Sequence, residues 1–135
     1  MKKQPLGQNY LVDEGVAHEI IQQARVSSDQ QILEIGPGRG ILTALLLEKV
    51  SILTAIEIDP KLCSKLINRF GTYKDFNLIE ADALKYDYSS LEGGCQVISN
   101  LPYYAATHIL KRLIHYRERF SSITVMLQKE VVDRL

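Results

Sequence analysis

The chain has 135 residues, 46% of them hydrophobic, which suffices for one domain with its own core. Lys plus Arg and Asp plus Glu both number 16, so the formal net charge is zero and overall charge favours no polyanionic or polycationic partner; only its distribution can. Cys63 and Cys95 form no metal or redox motif and read as reduced thiols of a cytoplasmic protein, no stretch approaches the length of a membrane span, and neither a metal nor a membrane is expected.

Residues 2–10 are polar, hold Pro5 and Gly7, and read as an extended arm. Asp13 can cap a helix in which Val16, Ala17, Ile20, Ile21 and Ala24 recur at helical spacing. A turn over 27–30 leads to a buried strand, Ile32 to Ile35, which breaks at once into Gly36, Gly38 and Gly40. A helical pattern follows from Ile41 to about Lys49, and a second strand covers 52–58. Asp59-Pro60 starts the next helix with a cap and a proline at the first position; Leu62, Leu66 and Phe70 form its buried face, and Gly71 stops it. A third strand over 77–81 delivers Asp82, and a fourth over 96–99 delivers Asn100-Leu101-Pro102-Tyr103-Tyr104. A helix over 105–117 has Ile109, Leu110, Leu113 and Ile114 apolar, and a fifth strand over 122–127 is apolar enough for a central position. Residues 130–135 read as the first turns of another helix. Strands alternating with helices predict an α/β doubly wound sheet with right-handed crossovers.

In such sheets ligands sit beyond the carboxyl ends of the strands, where the strand order reverses. Gly36, Glu57, Asp82 and Asn100 each end a successive strand, so four separate segments should converge on one edge. Glycines permit tight turns and close backbone approach. The spacing is not the G-x-G-x-x-G of dinucleotide sites, because Gly40 comes one residue early. With Glu34 ahead of it, Glu-x-Gly-x-Gly-x-Gly resembles motif I of class I S-adenosylmethionine (SAM) methyltransferases, a Rossmann-like fold. Glu57 stands near the offset at which an acid reaches a ribose, and its bland alternative is a surface carboxylate. Asp82 can accept from an adenine amine or simply terminate a turn. At Asn100, an amide carbonyl and a neighbouring backbone carbonyl held by Pro102 form a paired acceptor for an –NH2 group, and Tyr103 can stack on its base. Two acceptors at an exocyclic amine localise its lone pair toward an electrophile, so no strong base is needed. The other reading of these residues is a proline-containing strand-to-helix turn with core tyrosines. Lys111, Arg112, His115, Arg117 and Arg119 form either a solvated face or a phosphate-binding stretch.

Gly7 to Leu11, Leu33 to Gly40, Ala55 to Asp59, Ala81 to Leu84, Asn100 to Tyr104 and Gln128 to Leu135 together resemble the KsgA-type family of rRNA adenine N6-dimethyltransferases. The resemblance runs from the arm to the last residue. It implies SAM contacts at Asn9, Leu11, Gly36, Gly38, Glu57, Asp82 and Asn100. It implies adenine binding by Asn100 and the backbone of Leu101 and Pro102, with Tyr103 stacking. The implied reaction is dimethylation of two adjacent adenines near the 3′ end of small-subunit (16S) rRNA in a pre-ribosomal particle. Members of that family continue with further strands and a helical RNA-contacting domain, so residues 1–135 are expected to be the N-terminal part of the methyltransferase domain. The sheet should then be truncated after about five strands and leave an exposed edge. The competing readings are a large-subunit rRNA relative, which tends to carry Ile at Leu101, and a noncatalytic nucleic-acid-binding factor, which the intact Asn100 to Tyr103 disfavours. A NAD-dependent oxidoreductase is disfavoured by the glycine spacing.

Overall fold

Each apolar run that reads as a strand joins one parallel sheet in the computed structural model, which describes residues 14–101, 105–127 and 132–133. The strands are β1 (Gln31–Ile35), β2 (Ile52–Glu57), β3 (Phe76–Glu80), β4 (Cys95–Asn100) and β5 (Phe120–Met126). They pair in the order β3-β2-β1-β4-β5, every pair parallel. The order runs one way from β1 through β3 and the other way from β4 to β5, so the reversal falls between β1 and β4. The helices are α1 (Glu14–Ala24), α2 (Ile41–Leu47), α3 (Pro60–Phe70) and α4 (Ala106–His115).

Successive side chains of a strand face opposite ways, and the core is accordingly split in two. Ile32, Leu53 and Ile98 pack with α1, α2 and α3 through Ala17, Ile21, Leu46, Leu66 and Phe70. Leu33, Ile35 and Val97 pack on the other face with Ile109 and Leu113 of α4 and with Tyr88. Tyr88 is wholly buried, donates to the Ala83 carbonyl oxygen at 2.7 Å, and meets the rings of Tyr86, Tyr116 and Phe120.

The helix starts follow local chemistry. Asp59 caps α3 by accepting from the Lys61 N–H at 2.9 Å, with Pro60 as the first helical residue. Gly71 ends it in the right-handed region, with φ of −63°, and space requires the glycine: a Cβ there would stand 2.5 Å from the Ile67 carbonyl oxygen. The helix after the glycine turn stops at Leu47 rather than near Lys49, because the Lys49 and Val50 N–H groups both turn back to the Leu46 carbonyl. α4 stops at His115, two residues earlier than its spacing predicts, and a 3-10 turn over Arg117–Arg119 leads into β5.

β5 takes the outer position of the five strands beside β4, in line with a sheet truncated there, and residues 122–127 are only half-buried. One expectation changes. The basic stretch around α4 is not one open patch. Arg112 donates to the Tyr86 carbonyl at 2.8 Å and lies over the Tyr116 ring at 5.4 Å, while Arg119 donates to the Ser89 carbonyl at 3.0 Å and to that of Leu91. Both guanidinium groups fasten the segment between β3 and β4. The arm over 2–10 and the Asp13 cap lie outside the described residues, as does almost all of the helix expected over 130–135.

Candidate functional site at the carboxyl edge of the sheet

Strand register brings the expected residues level. Ile35 pairs with Ile56 on one side and Ser99 on the other, so Gly36 comes level with Glu57 and with Asn100. Glu57 pairs with Glu80, which sets Asp82 just beyond the same edge. The Ser99 hydroxyl donates to the Ile35 carbonyl oxygen, and the Gly36 N–H donates to the Ile56 carbonyl at 2.8 Å. The last turn of β1 is therefore held from both neighbours before the chain leaves the sheet.

The glycine loop that follows needs its glycines. Gly36, Gly38 and Gly40 have φ of 68°, 57° and 86°, the left-handed region that side chains disfavour. At Gly40 space is also missing, since a Cβ would approach the Phe70 ring of α3 to 2.7 Å.

Glu57 is 6% exposed, and its polar atoms are all engaged. One carboxylate oxygen accepts from the Gly38 N–H at 3.2 Å and the other from the Asp59 N–H at 3.1 Å. Its backbone carbonyl accepts from the Ala81 N–H at 3.0 Å and from the Cys63 thiol at 3.4 Å. Burial pushes its carboxyl above the ordinary value, against the pull of the Asp59 and Gly38 N–H groups. Each oxygen keeps a lone pair, so the side chain can accept further donors while anchoring the loop.

Glu34, noticed in the sequence only as the head of the glycine motif, is 2% exposed on the α2 face of β1. It accepts from the Thr43 hydroxyl at 2.6 Å, and burial pushes its carboxyl up to about 8. The one signal available was the nine-residue spacing to Thr43, which reaches from strand to helix across the turn.

Asp82 is half-buried, and one of its oxygens accepts from the Leu84 N–H at 2.9 Å, the turn role given as its alternative. Asn100 ends β4, and Leu101 turns its side chain into the core at 3% exposure while its N–H extends the ladder to the Met126 carbonyl at 3.2 Å. Asn9, Leu11, Pro102 and Tyr103 lie outside the described residues. Cys63 and Cys95 are free and buried, and burial raises the Cys63 thiol to about 11, which keeps it protonated. No helix among the described residues is long and apolar enough to cross a membrane.

The edge thus combines a loop with glycine at every other position, a buried carboxylate behind it, and an amide at the adjoining strand end. Comparison with known proteins shows the family. Ribosomal RNA small subunit methyltransferase A of Clostridium acetobutylicum is 43% identical over 133 residues, covering 96% of this chain and 48% of that protein. The chain therefore spans about half the length of the curated relatives it matches. A dimethyladenosine transferase from Plasmodium falciparum superposes with a TM-score of 0.79 at 30% identity, over 93% of this chain and 46% of that one. The 23S rRNA methyltransferase ErmE superposes with a TM-score of 0.81 at 25% identity, over 91% of this chain and 49% of that one. The match to the family described as ribosomal RNA adenine dimethylase covers residues 1–135, and the chain belongs to that family, with the class I methyltransferase fold.

Proposed function

We propose that this chain carries the cofactor-binding and catalytic edge of a SAM-dependent enzyme that dimethylates N6 of two adjacent adenines near the 3′ end of small-subunit rRNA, in a pre-ribosomal particle in the cytoplasm. One observation carries the reading: in a chain of this family, Gly36, Glu57 and Asn100 stand level on adjacent strands at the point where the strand order reverses. The relatives are about twice as long, so residues 1–135 are read as the N-terminal part of the methyltransferase domain.

The site fits SAM on its own chemistry. Gly36, Gly38 and Gly40 offer bare backbone at alternate positions of the loop, which suits close packing against an amino-acid end and a sugar. Glu57 has acceptor capacity left for ribose hydroxyls, and Asp82, with one oxygen on the Leu84 N–H, has another to offer an adenine amine. When bound, SAM supplies a methyl group on a sulfonium, which needs no activation.

The burden on the protein is the target nitrogen, whose lone pair is delocalised into the adenine ring. Asn100, through its side-chain carbonyl, and the backbone carbonyl of its neighbour hold the two amine hydrogens and favour a tetrahedral nitrogen. Methylation makes that nitrogen acidic, so its proton leaves to water. Tyr103 stacks on the flipped base and offsets part of the few kcal/mol that unstacking costs. A large-subunit target is the second reading, favoured by the superposition on ErmE. The small-subunit relatives, at 41–45% identity against 25%, favour the first.

The test is transfer of labelled methyl from SAM to unmethylated small-subunit particles, with large-subunit particles as the second arm. Asn100→Ala should nearly abolish transfer, whereas Tyr103→Phe should be tolerated because stacking needs only the ring. Equal damage from the two would give the tyrosine hydroxyl a chemical role and overturn the stacking assignment; transfer confined to large subunits would overturn the substrate.

A further inference from the structure

Beside the edge just described, a groove of about 500 Å³ opens between the glycine loop and α3. Arg39, Lys61, Lys65 and Arg69 line it, with Asp59 as the single acid. Four cations around one groove are unexpected in a chain whose formal net charge is zero. Lys61, Lys65 and Arg69 recur every fourth residue, so α3 presents them as one stripe, and all three are exposed. The adjoining face of the same helix, one residue round, is the buried one, formed by Leu62, Leu66 and Phe70, and Leu62 and Leu66 also line the groove. Asp59 caps the helix start by accepting from the Lys61 N–H and offsets one of the four charges, which leaves the lining with an excess of three positive charges.

The two walls are tied together. Arg69 donates to the Arg39 carbonyl at 3.0 Å and lies 4.7 Å from the centre of the Phe70 ring. Arg69 is thus a fixed charge, and Lys61 and Lys65 are compact, hydrated charges on flexible stems. Four residues of helix advance about 6 Å, close to one nucleotide step along an extended strand. The groove reaches the cofactor edge through Gly38 and Asp59, whose N–H groups both donate to Glu57.

We propose that this groove binds the sugar–phosphate backbone of RNA, with Lys61 and Lys65 each contacting a phosphate and Arg39 and Arg69 fixing the field between them. The assignment rests on the reading of the chain as part of an RNA-modifying enzyme, and it adds a contact surface on the cofactor side of the edge, away from Asn100. Such contacts position the nucleic acid and carry no sequence preference.

The experiment measures binding of two labelled RNAs to the intact protein over a range of salt. One is a hairpin with two adjacent adenines in its loop, and the other is an oligouridylate of equal length. Lys61→Gln with Lys65→Gln should weaken both RNAs several-fold and alike, and should flatten the log–log salt slope by about 0.7 for each lost contact. Affinity for SAM should not change. Lys49→Gln with Lys74→Gln, which removes equal charge from exposed lysines at the other end of the strands, should leave RNA binding as it was. An unchanged slope in the Lys61/Lys65 variant overturns the groove and leaves the enzyme reading standing. Equal losses in the Lys49/Lys74 variant, or a matching loss of SAM affinity, also overturn it. If the unaltered protein binds neither RNA nor SAM, both readings fall.

Discussion

Two buried carboxylates set the behaviour of single residues here. Glu34 has its carboxyl raised from 4.5 to about 8, first by burial, with the Thr43 hydroxyl opposing and the Glu57 charge adding. The folded chain therefore holds a proton that the unfolded chain releases between those values. Stability contributed by this group is present in full below the unfolded value and declines as pH rises through the folded one, by on the order of a few kcal/mol. Glu34→Gln keeps an oxygen for Thr43 and removes this titration, so its melting temperature should fall less than the parent's between pH 5 and 8, with Glu57 accounting for a remainder. An identical fall in the variant would remove Glu34 as the cause. Glu57 is also raised by burial, but its expected ligand favours the ionised form. SAM affinity should thus climb with pH through that titration. Loss of a charge-assisted acceptor costs roughly 1.5–3 kcal/mol, so Glu57→Ala should weaken calorimetric SAM binding at least about tenfold. Unaltered affinity in a folded variant would take the ribose away from this residue.

At the scale of elements, the glycine loop and α3 are one unit. Gly40 has φ of 86° and lies against Phe70, so Gly40→Ala adds both strain and a collision. Strain of that kind costs about 1–3 kcal/mol, which should lower the melting temperature by several degrees. Trimming the ring relieves only the collision, so Gly40→Ala combined with Phe70→Leu should cost less than the two changes summed. Strict additivity would show that the ring does not press on the loop. Helix spacing identified Leu66 and Phe70 as a buried face, yet no periodicity could say that the ring closes over a glycine thirty residues earlier. The same limit explains Arg112. Its place among basic residues suggested a solvated or phosphate-binding face, while its guanidinium reaches the Tyr86 carbonyl in a segment whose path is set by the wholly buried Tyr88.

Across the whole molecule, the alternation of strands and helices was legible, and so was the row of residues at the strand ends, because both follow from local periodicity and turn chemistry. Gly36, Glu57 and Asn100 came level once register was known, whereas Asp82 proved to have one oxygen committed to the Leu84 N–H. The helix stops at Leu47 and His115 were missed because a carbonyl shared by two N–H groups at the first, and an N–H shared by two carbonyls at the second, leave no compositional mark. The basic groove has a final consequence for motion. A body with no net charge feels little pull from a distant polyanion, but four cations gathered beside the glycine loop leave the remaining surface with an excess of acid. Near RNA, within a Debye length of about 8–10 Å, such a body experiences torque before it experiences attraction. If the proposed RNA contact holds, this chain should gain orientation rather than speed from its charges, arriving with the groove and the adjoining sheet edge leading.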